Sequence, residues 1–351
     1  MRTFSSLFGR RMAWLGVLLA IVLLWTIGAN GASAEPVHPG AAMGCGGKDL
    51  MAQLATEDEA AAARIREVAA KTPNGKAIFW RISSPDAKPS HLFGTIHLSD
   101  ARVTHLSADV TSALDQADVL ALEVADLSAQ ALMRTLVHFR SQMFFADGRT
   151  LDQLLTPAEM EQAEAVAARR GLPSTALNMA RPWFVSLLLA VSQCEQNRTR
   201  EGALPLDLTI AGRARARGTA VVGLESMDDQ LKVFASQPDA DQLAYLRANL
   251  KFESQRADAV ETLVQRYIGR ELAMAWPLQQ ELWTRAGLKP SAMESMKSSL
   301  LTSRNQKMRD AALPLLEKGN AFIAVGALHL IGKTGLVALF RQAGYQVDAI
   351  E

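Results

Sequence analysis

Short apolar, β-prone runs recur from one end of the chain to the other: AIFWRIS at 77–83, SHLFGTIHL at 90–98, VLALEV at 119–124, TAVVGLES at 219–226, NAFIAVGALHL at 320–330 and YQVDAI at 345–350. Most are separated by long helix-forming stretches, and strands alternating with helices specify an α/β fold. The expected architecture is a central mixed sheet covered by helices, with a large helical insertion at about 127–217 and 227–318 inside one domain spanning 48–351. The first two runs flank the Pro-rich SPDAKPS and should form a hairpin or adjacent strands. Thr156-Pro157-Ala158-Glu159 is a capping box with proline at the first helical position, closed by Gly171. Pro182 marks a kink or a restart within the apolar helix around it.

The N-terminus asks for separate treatment. MRTFSSLFGRR is basic and free of acids, the run from Met12 to Gly28 is uncharged and apolar, and Ala32-Ser33-Ala34 supplies a small-x-small pattern. That is the layout of an export signal over 1–34, cleaved after Ala34 and followed by a flexible segment at 35–47. The rival reading is an uncleaved inner-membrane anchor over residues 12–28, close to the lower length limit for a span. An exported, periplasmic protein is expected, with membrane contact only if the segment stays attached. Cleavage removes Arg2, Arg10 and Arg11 and leaves 34 basic against 36 acidic side chains, a net −2. Such a balance offers no basic face for nucleic acid. In an exported chain the two cysteines, Cys45 and Cys194, are candidates for one disulfide; metal binding by the pair lacks the clustering of a zinc knuckle.

Chemistry concentrates at the ends of the apolar runs. HLFGTIHLSD and AFIAVGALHLIG carry the same Gly-x-x-His, ending in His97 and His329. With strand alternation continued through each motif, Phe93, Thr95 and His97 share one face, as do Val325, Ala327 and His329, with each glycine opposite. Glu123 and Glu225 close two further apolar runs, where a carboxylate needs a partner. Ligands of α/β sheets gather beyond the carboxyl ends of strands, so these four side chains form an N2O2 set. It suits either a water-activating transition metal or metal-free His/Glu acid–base work. His91 shares the parity of His97 but is too far along the strand to join it. No P-loop, dinucleotide fingerprint or Gly-x-Ser-x-Gly elbow is present, so no nucleotide cofactor is expected.

The blocks SHLFGTIHLSD, LALEV, LDLTIAGRARARGTAVVGLESMDDQ, SRNQKM and AFIAVGALHLIGKTGLVALFRQAGYQV resemble the TraB/PrgY/GumN family, which is related to the animal TIKI proteins. The resemblance implies a fold shared in outline with erythromycin-esterase-like and ChaN-like proteins, in which two Gly-x-x-His motifs face one site. TIKI relatives are described as metal-dependent proteases, PrgY and TraB relatives restrict peptide pheromone activity, and GumN carries the name of a polysaccharide cluster. Carried onto this chain, the implied residues are His97, Glu123, Glu225, His329 and the pair Arg304-Asn305, with Leu328 where the family usually has a smaller residue. Asp207 is a weaker candidate that helix capping or a surface ion pair explains equally well.

The expectation is an exported, metal-dependent, peptidase-like hydrolase. His97, Glu123 and His329 would hold Mn, Co or Zn, Glu225 would be a further ligand or base, and Arg304 and Asn305 would clamp substrate or stabilise an oxyanion. The alternatives are a non-catalytic periplasmic binder of a peptide or glycan, and a metal-free esterase-like hydrolase with His97 as base.

Overall fold

The computed structural model describes residues 45–126 and 128–351. The signal and anchor readings, His38 and the 35–44 part of the flexible segment lie outside the described residues. The described residues form two compact units, one made of 45–126, 203–233 and 254–351 and the other of 128–202 and 234–253.

The first unit holds the sheet. Its strands are β1 (Phe79–Ser84), β2 (Ala87–Thr95), β3 (Val119–Leu122), β4 (Ala220–Gly223), β5 (Ala321–Gly326) and β6 (Gln346–Ala349), in the order β4-β3-β5-β2-β1-β6. The four strands β4, β3, β5 and β2 run parallel, and β1 is antiparallel to both β2 and β6. The α/β expectation of a mixed sheet with helices therefore holds. Most of SPDAKPS is strand: the hairpin register shifts between Ile82 and Ser84, a bulge beside Pro89, whose missing N–H is tolerated there.

Strand alternation sorts β5 onto two cores, which is why its sequence is apolar throughout. Phe322 and Ala324 join Phe93, Leu120 and Leu122 on one face, covered by α1 (Ala108–Gln116), α2 (Leu206–Ala216) and, in chain order beyond α3 (Met227–Ala235), α4 (Arg256–Ile268). Ile323 and Val325 join Trp80, Leu92 and Ala121 on the other, covered by α5 (Ser303–Lys318) and α6 (Leu336–Gln342). Parts of the stretches read as insertion thus belong to the sheet's own cover: α2 buries Leu206, Ile210, Ala211 and Ala214, and α5 buries Met308, Ala312 and Leu316.

The second unit is helical. Thr156 caps the helix Pro157–Arg169, accepting from the Glu159 N–H while Glu159 accepts from the Thr156 N–H at 2.9 Å. Pro182 restarts a helix instead of kinking one: Ser174–Met179 ends, Ala180 bridges Phe144, and Pro182–Ala190 begins with proline at its first turn. Among the described residues no helix is long and apolar enough to cross a membrane. Neither cysteine is free: Cys45 and Cys194 are both disulfide-bonded.

Candidate active site

The four parallel strands end at Thr95, Leu122, Gly223 and Gly326, and the residues singled out from the sequence follow directly: His97, Glu123, Glu225 and His329. The route differs from strand alternation. β2 stops at Thr95, and a tight turn with the Leu98 N–H donating to the Ile96 carbonyl at 2.8 Å carries His97. β5 stops at Gly326, and His329 sits on a 3-10 turn over Ala327–His329. The shared-face parity assigned to each motif does not apply, because neither histidine belongs to its strand. Gly94 has another use. A Cβ there would lie 3.0 Å from Ala327 Cα, Ala327 Cβ and Leu330 Cδ2, so the glycine of the first motif gives room to the turn that carries the histidine of the second.

Both imidazoles reach one point. A Cβ built on Gly326 would lie 3.1 Å from Glu123 Oε1, 3.5 Å from His329 Cδ2 and 3.7 Å from His97 Nε2. His97 and His329, more than two hundred positions apart, therefore meet over the end of β5 together with Glu123. The His97 side chain is 57% exposed and that of His329 is 6% exposed, so the cleft has an open and a closed side.

The carboxylates share a cation. Pairing between β3 and β4 continues past the strand ends, with the Leu224 N–H on the Leu122 carbonyl at 2.8 Å and the Glu225 N–H on the Glu123 carbonyl at 2.9 Å. This sets two acids side by side, an arrangement that one cation must stabilise. Arg304, in the first turn of α5, donates from Nη2 to Glu123 Oε2 at 2.6 Å and from Nε to Glu225 Oε2 at 3.0 Å, and Nη2 also closes on Glu225 Oε1. Gln230 on α3 donates to Glu123 Oε2 and Glu225 Oε1, each at 2.9 Å. The Gly326 N–H donates to Glu123 Oε1 at 2.7 Å.

Each histidine is held through Nδ1. His97 Nδ1 lies 2.8 Å from Asp207 Oδ2, and Asp207 Oδ1 accepts from the Thr95 hydroxyl at 2.6 Å. His329 Nδ1 lies 2.6 Å from Asn305 Oδ1, and Asn305 Nδ2 donates to the Thr334 carbonyl at 2.8 Å. Asp207 is the residue that sequence reasoning undervalued. It stands in the first turn of α2, two residues after Pro205, where a cap explains it equally well from sequence; the signal available was the crossover, which starts the helix beside the carboxyl ends of the parallel strands. Gln230 carried no sequence signal. His91 stacks on Phe79 with centroids 5.4 Å apart and takes no part in the cleft.

The electrostatics of the two rings diverge. The Asp207 carboxylate raises His97 to about 9, against burial and with help from Glu123. Burial pushes His329 down to about 4, against the pull of Glu123. Burial also opposes ionisation of Glu123, but His329 when protonated, His97, Arg304 and the Gly326 N–H outweigh it and hold its carboxyl at about 2. Since His329 is neutral at pH 7, Arg304, His97 and Gly326 keep Glu123 ionised there. For Asp207, burial is outweighed by His97 and Thr95, and its pKa falls below the ordinary range.

Two imidazoles and a carboxylate are donor types that a divalent metal takes. Two imidazoles anchored through Nδ1 leave Nε2 to face the cleft, and outer-shell oxygens of this kind orient ligating histidines in known centres. At this site no three side-chain ligand atoms of His, Cys, Asp or Glu already lie within 4.8 Å of one another, and Glu123 is occupied by Arg304 and Gly326. Such a group exists at Cys45, Cys194 and Glu195, where the two sulfurs are disulfide-bonded and so lack the thiolate that a metal requires.

The TraB/PrgY/gumN family model matches residues 78–349, which contain both Gly-x-x-His motifs and every residue of the cleft. The chain is also similar to two curated proteins called "Uncharacterized protein YbaP", from Shigella flexneri and from Escherichia coli (strain K12). Each is 23% identical over 264 residues, covering 74% of this chain and 90% of the relative. No solved structure matches. With most of its length under the family model, the sheet and the cleft included, the chain belongs to the TraB/PrgY/gumN family.

Proposed function

We propose that the chain is an exported hydrolase of the peptidase type that activates water where His97, Glu123 and His329 converge over Gly326. The observation that carries this reading is that convergence, with Glu123 Oε1, His329 Cδ2 and His97 Nε2 all within 4 Å of one point. His97, anchored by Asp207 and open to solvent, moves a proton at Nε2. His329 presents a second Nε2 from the closed side, and Glu123 supplies the negative charge between them. Arg304 is committed to the two glutamates, so its part is to hold the Glu123 and Glu225 side chains together rather than to clamp substrate.

His97, Glu123 and His329 would hold Mn, Co or Zn, which in such a site polarises the scissile carbonyl and lowers the pKa of water. A metal-free reading has its own support in the saturation of Glu123 by Arg304 and Gly326, which leaves the Asp207–His97 pair as the base for an ester or lactone, a base that is free only as pH rises towards 9. Export is supported by the basic and apolar start of the sequence and by a disulfide, which persists in oxidising compartments.

The test is turnover of a panel of peptides, amides and esters by protein purified without chelators. It is repeated after exhaustive chelation, after adding back Mn²⁺, Co²⁺ or Zn²⁺, and with His97→Ala. Metal-dependent turnover abolished in the variant is the expected result. Turnover surviving chelation selects the metal-free base, peptide or glycan binding without turnover selects the binder, and unchanged activity in His97→Ala removes the reading.

A further inference from the structure

The family resemblance gives Asn305 the part of a substrate clamp or oxyanion donor. The structure supports neither: Asn305 is buried within α5, 1% exposed, and its amide faces protein on both sides. One side is the main-chain carbonyl of Thr334, a group that only accepts, 2.8 Å from Nδ2. Turning the amide over would place oxygen against oxygen at that distance, so the carbonyl fixes which end of Asn305 is which. Oδ1 must then face His329 Nδ1, 2.6 Å away. An amide oxygen cannot donate, so the proton in this contact belongs to Nδ1. In the neutral ring that leaves Nε2 with a lone pair.

The far side of the ring agrees. Nε2 stands 3.6 Å from Glu123 Oε1, and that oxygen already accepts from the Gly326 N–H at 2.7 Å. A protonated Nε2 buried beside a carboxylate would close to hydrogen-bond distance, whereas a lone pair facing an anion stands off. Two independent contacts therefore select one tautomer.

We propose that Asn305 is a positioning residue that locks His329 into the tautomer with its proton on Nδ1, so that a bare Nε2 faces the cleft. The lock runs from the Thr334 carbonyl through one amide to one imidazole, and it ties the first turn of α5 to the segment just before α6. It rests on the reading of the cleft as a reaction site only for its use; the tautomer is a property of the folded chain whether or not a substrate is found. A base or a metal ligand needs the same thing from His329, a free Nε2, and Asn305 supplies it without adding a charge to a closed pocket.

The experiment is a long-range ¹H–¹⁵N correlation spectrum of histidine-labelled, metal-free protein at neutral pH, with the His329 resonances assigned from His329→Gln. Wild type should show protonated Nδ1 and unprotonated Nε2. Asn305→Leu should lose that single signature for a mixture or for protonated Nε2, and kcat should fall about 10–100-fold with KM little changed, the usual effect of losing an outer-shell partner. Asn305→Asp keeps an acceptor for Nδ1 but sets a second oxygen against the Thr334 carbonyl, so it should retain the signature at a cost in stability. A wild-type spectrum with the proton on Nε2, or an unchanged tautomer in folded Asn305→Leu, overturns the proposal. If the leucine variant does not fold, the wild-type spectrum decides alone. If no substrate is ever found, the spectra still decide the tautomer while the hydrolase reading fails separately.

Discussion

Arg304 donates from Nη2 to Glu123 at 2.6 Å while the same guanidinium closes on Glu225, so one cation serves two carboxylates whose side chains are 7% and 0% exposed. The strand pairing that sets the acids side by side cannot relax, because the Glu225 N–H is bonded to the Glu123 carbonyl at 2.9 Å. Arg304→Met should therefore cost about 3–5 kcal/mol, the usual penalty for orphaning a buried ion pair. Arg304→Lys should recover only part of this, since a point charge cannot reproduce the fork. Urea unfolding with an unchanged m-value measures it, and a loss below about 1 kcal/mol would show that the acids are stabilised by something else.

Acid should destabilise the protein in two windows. His329 is held near 4, below its ordinary 6.5, so the unfolded chain binds a proton that the folded one refuses, and stability falls as pH drops from 6.5 towards 4. The slope approaches about 1.4 kcal/mol per pH unit within that window. Glu123 is held near 2 against 4.5, so its contribution is present above 4.5 and is lost as pH falls through about 2. His329→Gln should flatten the upper window and, by removing the imidazolium that faces Glu123 below about pH 4, move the lower one to higher pH. Unfolding midpoints measured at intervals from pH 7 to pH 3 separate the two.

His97 runs the other way. Its pairing with Asp207 raises it from 6.5 to about 9, so the stabilisation is complete below 6.5 and disappears as pH climbs through 9. With its side chain 57% exposed, solvent screens much of the energy, and the cleaner measurement is the titration itself. An NMR titration of the His97 ring in metal-free protein should give a midpoint clearly above 6.5, returning towards 6.5 in Asp207→Asn. A wild-type midpoint at or below 6.5 would mean that Asp207 does not hold the ring in solution.

What the sequence could announce was the set of strand ends. Each apolar run closes on a residue that apolar runs do not tolerate without a partner, and Glu123 and Glu225 did prove to share one in Arg304. The alternation of strand and helix likewise specified the α/β class. Strand alternation failed at the motifs themselves, because the backbone leaves β geometry at Thr95 and Gly326, before either histidine, and a period of two has no meaning on a tight turn or a 3-10 turn. Asp207 and Gln230 were hidden for a different reason: both lie on helices where a polar residue is ordinary, and their role depends on which strand ends the helix starts beside. The pairing of Asn305 with His329 crosses 24 residues and two elements, and it is visible only when the Thr334 carbonyl is in place.

The two motif glycines should fail differently when given a methyl group. At Gly326 the added Cβ meets Glu123 Oε1 at 3.1 Å, His329 Cδ2 at 3.5 Å and His97 Nε2 at 3.7 Å, all of them site atoms, and the backbone there, φ −52° and ψ 133°, suits any residue. Gly326→Ala should keep the fold, with stability within about 1 kcal/mol of wild type, and lose metal uptake or turnover because the meeting point is filled. At Gly94 the Cβ meets Ala327 and Leu330 at 3.0 Å, which are core atoms with no room to retreat. Gly94→Ala should cost about 1–3 kcal/mol by overpacking and displace the turn that carries His329, so stability and function fall together. Thermal unfolding beside the activity panel reads both. The same loss of stability at the two positions would mean that Gly326 serves packing alone, and the cleft would lose its claim to be the place where the chemistry happens.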